Sequence, residues 1–126
     1  MRPNTLFRVA AVLALVFGVA FLLIPTTVLP GYGVVPQPAV TLLARFFGAA
    51  LIQLGLVLYL LRDVRDAATV NALSLAGVMG SAAGLAVSLM GVLGGVVNTL
   101  GWSSVAIYAL LLIGYGTCLR SRAVMA

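Results

Sequence analysis

Four long apolar runs set the pattern of this chain, and prolines, glycines and charges collect between them. The runs fall at residues 5–24, 39–61, 67–91 and 98–119. A helix that crosses bilayer hydrocarbon needs about 20 apolar residues, each rising ~1.5 Å, and each run reaches that length. None alternates polar and apolar residues as a strand of a membrane barrel must. The expected fold is therefore all-α: four transmembrane helices in an antiparallel bundle, one membrane domain over residues 1–126.

The breaks between runs carry their own signals. Pro25 ends the first helix. Pro30, Pro36 and Pro38 hold the next segment extended or turned, since proline lacks an N–H and restrains the residue before it. Asp66 is placed to cap the third helix, and the Arg62–Asp66 turn is short enough to require an antiparallel hairpin of the second and third spans. Gly94 and Gly95 break the third helix from the fourth, with Asn98 as the cap of the latter. Tyr32 and Trp102 fall at one membrane interface and Tyr59 at the other, as an aromatic belt requires. The string Thr26-Thr27-Val28-Leu29-Pro30-Gly31-Tyr32-Gly33 resembles a potassium filter only until Leu29-Pro30 interrupts it, and no pore helix precedes it. It predicts a stiff external cap.

The third span carries a second pattern. Ser74, Gly77, Ser81, Gly84, Ser88 and Gly91 alternate steps of three and four, which places six small residues on one heptad seam. Ala76, Gly80, Gly84 and Ser88 also form a small-xxx-small ridge. In lipid, small residues let helix backbones approach closely, and dispersion then holds them together. Neighbouring helices, from this chain or another, are expected to pack most tightly here.

Charge then orients the spans. All seven basic residues are arginine, and six flank the runs: Arg2, Arg8, Arg62, Arg65, Arg120 and Arg122. The segments 25–38 and 92–101 carry no charge. Arginine resists translocation, so both termini and the Arg62–Asp66 turn are expected on the cytoplasmic side of a bacterial inner membrane. Arg2 and Arg8 precede an apolar stretch, as in a signal peptide. That stretch outruns the usual core of about 7–15 residues and lacks a small-x-small cleavage site, so it is expected to be a retained first span. Charged residues make up 7% of the chain against roughly 25% in a soluble domain, which excludes a soluble fold. The net charge of +5 is divided among separate cytoplasmic segments instead of gathering on one face, which argues for membrane lipids as partners and against nucleic acid.

Arg45 is the exception, since it lies inside the second span, about 9 Å from its outer end. A buried arginine in hydrocarbon is costly, so it either snorkels to the outer headgroups or turns inward to meet an oxygen group. The helical repeat sets Gly48, Ala49, Ile52, Leu56 and Tyr59 on its face. Ser88 and Tyr108 lie at a similar depth. Arg45, Gly48, Ser88 and Tyr108 are therefore the candidate ligand-binding residues, and Ser74, Gly77, Gly80, Ser81, Gly84 and Ser88 the candidate helix-packing residues. Gln53 reads as interhelical glue.

Catalytic chemistry finds no constellation. The chain has no histidine, its two carboxylates are Asp63 and Asp66, and its single cysteine is Cys118. No base, no paired nucleophile and no Cys/His metal site can be assembled from these. No enzymatic activity, metal or cofactor is expected, and Cys118 is read as a packing residue.

The stretch Leu43-Ala44-Arg45-Phe46-Phe47-Gly48-Ala49-Ala50-Leu51, then Gly55-Leu56 and Leu61-Arg62-Asp63, with Leu100-Gly101-Trp102 opening the last helix, resembles a broad group of small bacterial four-helix membrane proteins. More distantly it is similar to DoxX-like proteins. Such proteins often carry an acidic residue in the second helix, where this chain has none, so no redox-partner role carries over. The resemblance implies a four-helix bundle. The expected function is that of a structural or accessory subunit of a larger membrane complex or a homo-oligomer. The alternative is a binding or transport module for a lipid, quinone or other small amphiphile held near Arg45.

Overall fold

The computed structural model describes residues 2–125, with side chains described as far as Leu119. The Arg120 and Arg122 side chains, expected at the charged end, lie outside the described residues. Five helices form: α1 (Pro3–Leu23), α2 (Pro25–Gly31), α3 (Pro38–Leu60), α4 (Ala67–Leu93) and α5 (Gly101–Met125). All but α2 contain a stretch long and apolar enough to cross a membrane, which makes this a multi-pass membrane protein. No strand occurs among the described residues.

Proline starts three of the helices. Pro3, Pro25 and Pro38 each occupy the first turn, where the missing N–H would have had no partner within the helix. This explains α2, which stands where an extended or turned segment was expected. Pro25 ends α1 and at once begins the short helix, whose Pro25 and Leu29 are buried. Asp66 caps α4 as expected, its Oδ2 accepting from the Thr69 N–H at 2.9 Å and the Thr69 hydroxyl at 2.6 Å.

The bundle consists of two helix pairs. α1 packs along α3, and α4 packs along α5. The short turn after α3 connects the pairs without laying α3 and α4 side by side, contrary to the hairpin expected from its length. Two fastenings hold the pairs together. At the arginine-rich end, Leu6, Phe7, Ala10 and Ala11 of α1 form one buried cluster with Leu58, Val70, Tyr115 and Cys118. The Phe7 and Tyr115 rings lie 6.4 Å apart within it. At the uncharged end, Asn98 bridges the two connecting segments. Its backbone N–H donates to the Tyr32 carbonyl at 2.9 Å and its Nδ2 to the Gly31 carbonyl at 3.1 Å. Its Oδ1 accepts from the Leu100 N–H at 3.0 Å, ahead of the first turn of α5. Gly33, beside this bridge, has φ +78°, a conformation that disfavours any side chain.

Candidate functional site

Small residues build both helix pairs, on one spacing. In the α4–α5 pair, Gly77 lies beneath the Tyr115 ring and Gly84 beneath the Tyr108 ring. The glycines are seven residues apart and so are the tyrosines, as two antiparallel helices in constant register require. Ser74 and Ser81 lie on the same seam and are buried, while Ser88 is half-buried. The Ser74 hydroxyl is buried, with no hydrogen-bond partner among the described residues. Gly80 lies off the seam, with nothing within 4 Å of where a Cβ would stand. The expected ridge through Ala76 and Gly80 therefore departs from the true interface, and both residues face outward.

The α1–α3 pair is closer still. Gly18 and Gly48 meet backbone to backbone, and Gly55 abuts Leu15 and the Ala11 carbonyl. Ala11 and Gly18 are again seven apart, as are Gly48 and Gly55. The Phe21 and Phe47 rings meet edge to face at 5.2 Å beyond this contact. Sequence reasoning weighed the third span and passed over this seam, although the same spacing was available in the first two.

The Arg45 cluster does not assemble. Gly48 spends its contact on α1, and the Tyr108 ring covers Gly84, so α3 with Arg45 belongs to one helix pair while α4 with Ser88 and α5 with Tyr108 form the other. Arg45 is exposed on α3, and among the described residues no hydrogen bond or ion pair reaches it. Gln53, two turns further on, is exposed as well. With Ala49 between them, these side chains form a polar ridge at i, i+4 and i+8 on a face that no other element covers.

The densest polar chemistry lies at the arginine-rich end. Asn4 Nδ2 donates to the Arg62 carbonyl at 3.0 Å and also to Asp63 Oδ1. Arg8 Nη2 stands 3.9 Å from Asp63 Oδ1, and Arg62 Nε 3.7 Å from Asp63 Oδ2. Arg62 is held further by donating to the Tyr59 carbonyl at 2.7 Å, with its guanidinium 4.0 Å from the Tyr59 ring centre. No group of three or more metal-ligating side chains lies among the described residues. No family model, curated protein or solved structure matches the chain.

Proposed function

We propose that this chain is a non-enzymatic subunit that packs against a larger membrane complex through the exposed face of α3. The observation that carries this is the Arg45–Ala49–Gln53 ridge. An arginine facing hydrocarbon costs up to about 2.5–3.5 kcal/mol on insertion scales, the full value at a helix centre and less at the depth of Arg45. A glutamine amide in the same setting seeks an interhelical hydrogen bond. Among the described residues nothing answers either group, and polar groups of a neighbouring subunit would answer both. The outward small residues Ala76 and Gly80 on α4 offer that neighbour a second close approach.

Native mass spectrometry after extraction in mild detergent tests this. Wild type should retain a foreign subunit, and the Arg45→Leu/Gln53→Leu double variant should lose it while keeping its melting midpoint. Wild type recovered with lipids alone would sink the proposal.

The arginine distribution further supports a bacterial inner-membrane location with both termini and the Arg62–Asp66 turn cytoplasmic. The resemblance to small bacterial four-helix proteins, and more distantly to DoxX-like ones, agrees with that location. In intact cells, a membrane-impermeant maleimide should modify Tyr32→Cys and Val96→Cys and spare Val64→Cys. Labelling at position 64 from outside would invert the topology.

A further inference from the structure

The arginine-rich end holds an open cleft of about 480 Å³ whose walls include Arg2, Arg8, Arg62 and Arg65 with Asn4 and Asp63. We propose that this cleft binds the phosphate group of an anionic ligand. Topology explains why arginines lie at this end of the spans, since flanking charge keeps a segment cytoplasmic. It does not explain why four of them line one cleft, two of them beside its one carboxylate.

Asp63 organises the walls. It accepts from Asn4 and stands within ion-pair distance of Arg8 and Arg62, which draws the start of α1 against the turn after α3. Yet both ion pairs are long, at 3.9 and 3.7 Å, and neither is a two-pronged fork. Arg8 thus keeps its Nε and Nη1 donors clear of Asp63, and Arg62 its Nη2. The Arg2 and Arg65 side chains make no hydrogen bond or ion pair among the described residues. Two guanidiniums share this one carboxylate, and with Arg2 and Arg65 the walls carry four positive charges to one negative, an imbalance that an anion entering the cleft relieves. A phosphate suits it because guanidinium forks match pairs of phosphate oxygens in spacing and plane. The first turn of α1 adds to the same field, with no acidic residue and no side-chain cap on its N–H groups.

The surroundings favour a lipid as the source of that phosphate. Arg2, Thr5, Val9, Val12 and Val16 follow one another at steps of three and four along α1, so they share a stripe. Arg2 and Thr5 line the cleft, and Val9, Val12 and Val16 are exposed below it. A headgroup in the cleft would lay its acyl chain along these valines. A small soluble phosphate would use the arginines alone. The cleft lies at the opposite end of α3 from Arg45, and its occupancy does not depend on the subunit role proposed above.

The test uses the purified full chain in detergent and native mass spectrometry with added phosphatidylglycerol or phosphatidylcholine. Phosphatidylglycerol should be retained and phosphatidylcholine stripped at the same collision energy. Arg8→Gln/Arg65→Gln should weaken phosphatidylglycerol binding by at least about tenfold, since each surface arginine is worth roughly fivefold toward an anionic headgroup. Both positions are exposed, and unchanged thermal melting of this variant keeps the comparison interpretable. Arg8→Lys/Arg65→Lys keeps the charge and loses the forks, and it should bind several-fold more weakly than wild type. In a parallel arm, inorganic phosphate that raises the melting midpoint of wild type, but not of the glutamine variant, would place the cleft's phosphate in a soluble compound. Equal retention of both lipids with no effect of inorganic phosphate would overturn the site, as would lysine or glutamine variants that bind like wild type.

Discussion

Gly48→Val is expected to unseat α3 from α1 and lower stability by about 3 kcal/mol, the upper end of the usual range for overpacking. A Cβ at Gly48 would lie 2.7 Å from the Gly18 carbonyl oxygen, 2.7 Å from the Leu22 nitrogen and 3.1 Å from the Phe21 carbonyl carbon. All three are backbone atoms, so no rotamer change relieves the clash and the helix itself must move. That movement would also open the Phe21–Phe47 contact one turn away. Gly55→Val should cost less, because the nearest atoms to a Cβ there belong to the Leu15 side chain, which can turn aside. Denaturation of detergent-solubilised protein, followed by circular dichroism, would give the order. A Gly48→Val protein that unfolds at the wild-type midpoint would show that the helices do not approach this closely.

The second large effect is a contrast within α4. Gly84→Leu should destabilise by about 2–3 kcal/mol, whereas Gly80→Leu should leave the fold of this chain unchanged. The added Cβ at Gly84 would stand 2.3–2.5 Å from three atoms of the Tyr108 ring, while at Gly80 it meets nothing within 4 Å. Shortening the opposing ring with Tyr108→Ala should return part of the loss in the Gly84→Leu background, as coupled neighbours do. Equal melting of the two glycine variants would mean that the seam points away from α5. If Gly80→Leu melts normally but no longer retains a foreign subunit, the outward side of α4 belongs to the assembly.

Span number, helical class and the α4 seam were legible because each rests on a repeating physical demand. Hydrocarbon thickness sets run length, and close helix approach demands small residues at heptad spacing. The pairing of helices was less legible. Depth along the membrane set Arg45 level with Ser88 and Tyr108, yet depth does not choose neighbours. Gly48 and Gly84 make that choice, each by admitting a different partner to its backbone. The α1–α3 seam escaped notice because Ala11 and Gly18 sit among valines and leucines, where one glycine in a span draws no attention. Pro25 reads as a breaker, although proline is favourable in a first turn and Leu29 gains a buried place once α2 forms, with Pro30 held inside its last turn. Asn98 was assigned a local role as a cap, and its bond across to Gly31 spans a separation that no local pattern encodes.

Because each helix pair is contiguous along the chain, the order of assembly can follow the order of synthesis. α1 and α3 precede α4 and α5 in the chain and so leave the ribosome first, and their Gly18–Gly48 contact requires nothing from the later residues. The first pair can therefore mature in the membrane while the second is still being translated. When α5 arrives, Asn98 meets carbonyls at Gly31 and Tyr32 already presented by a finished surface. The chain does not have to search among four free spans at once: only the contacts of Leu6 and Phe7 with Tyr115 and Cys118, and the Asn98 bridge, wait for its last helix.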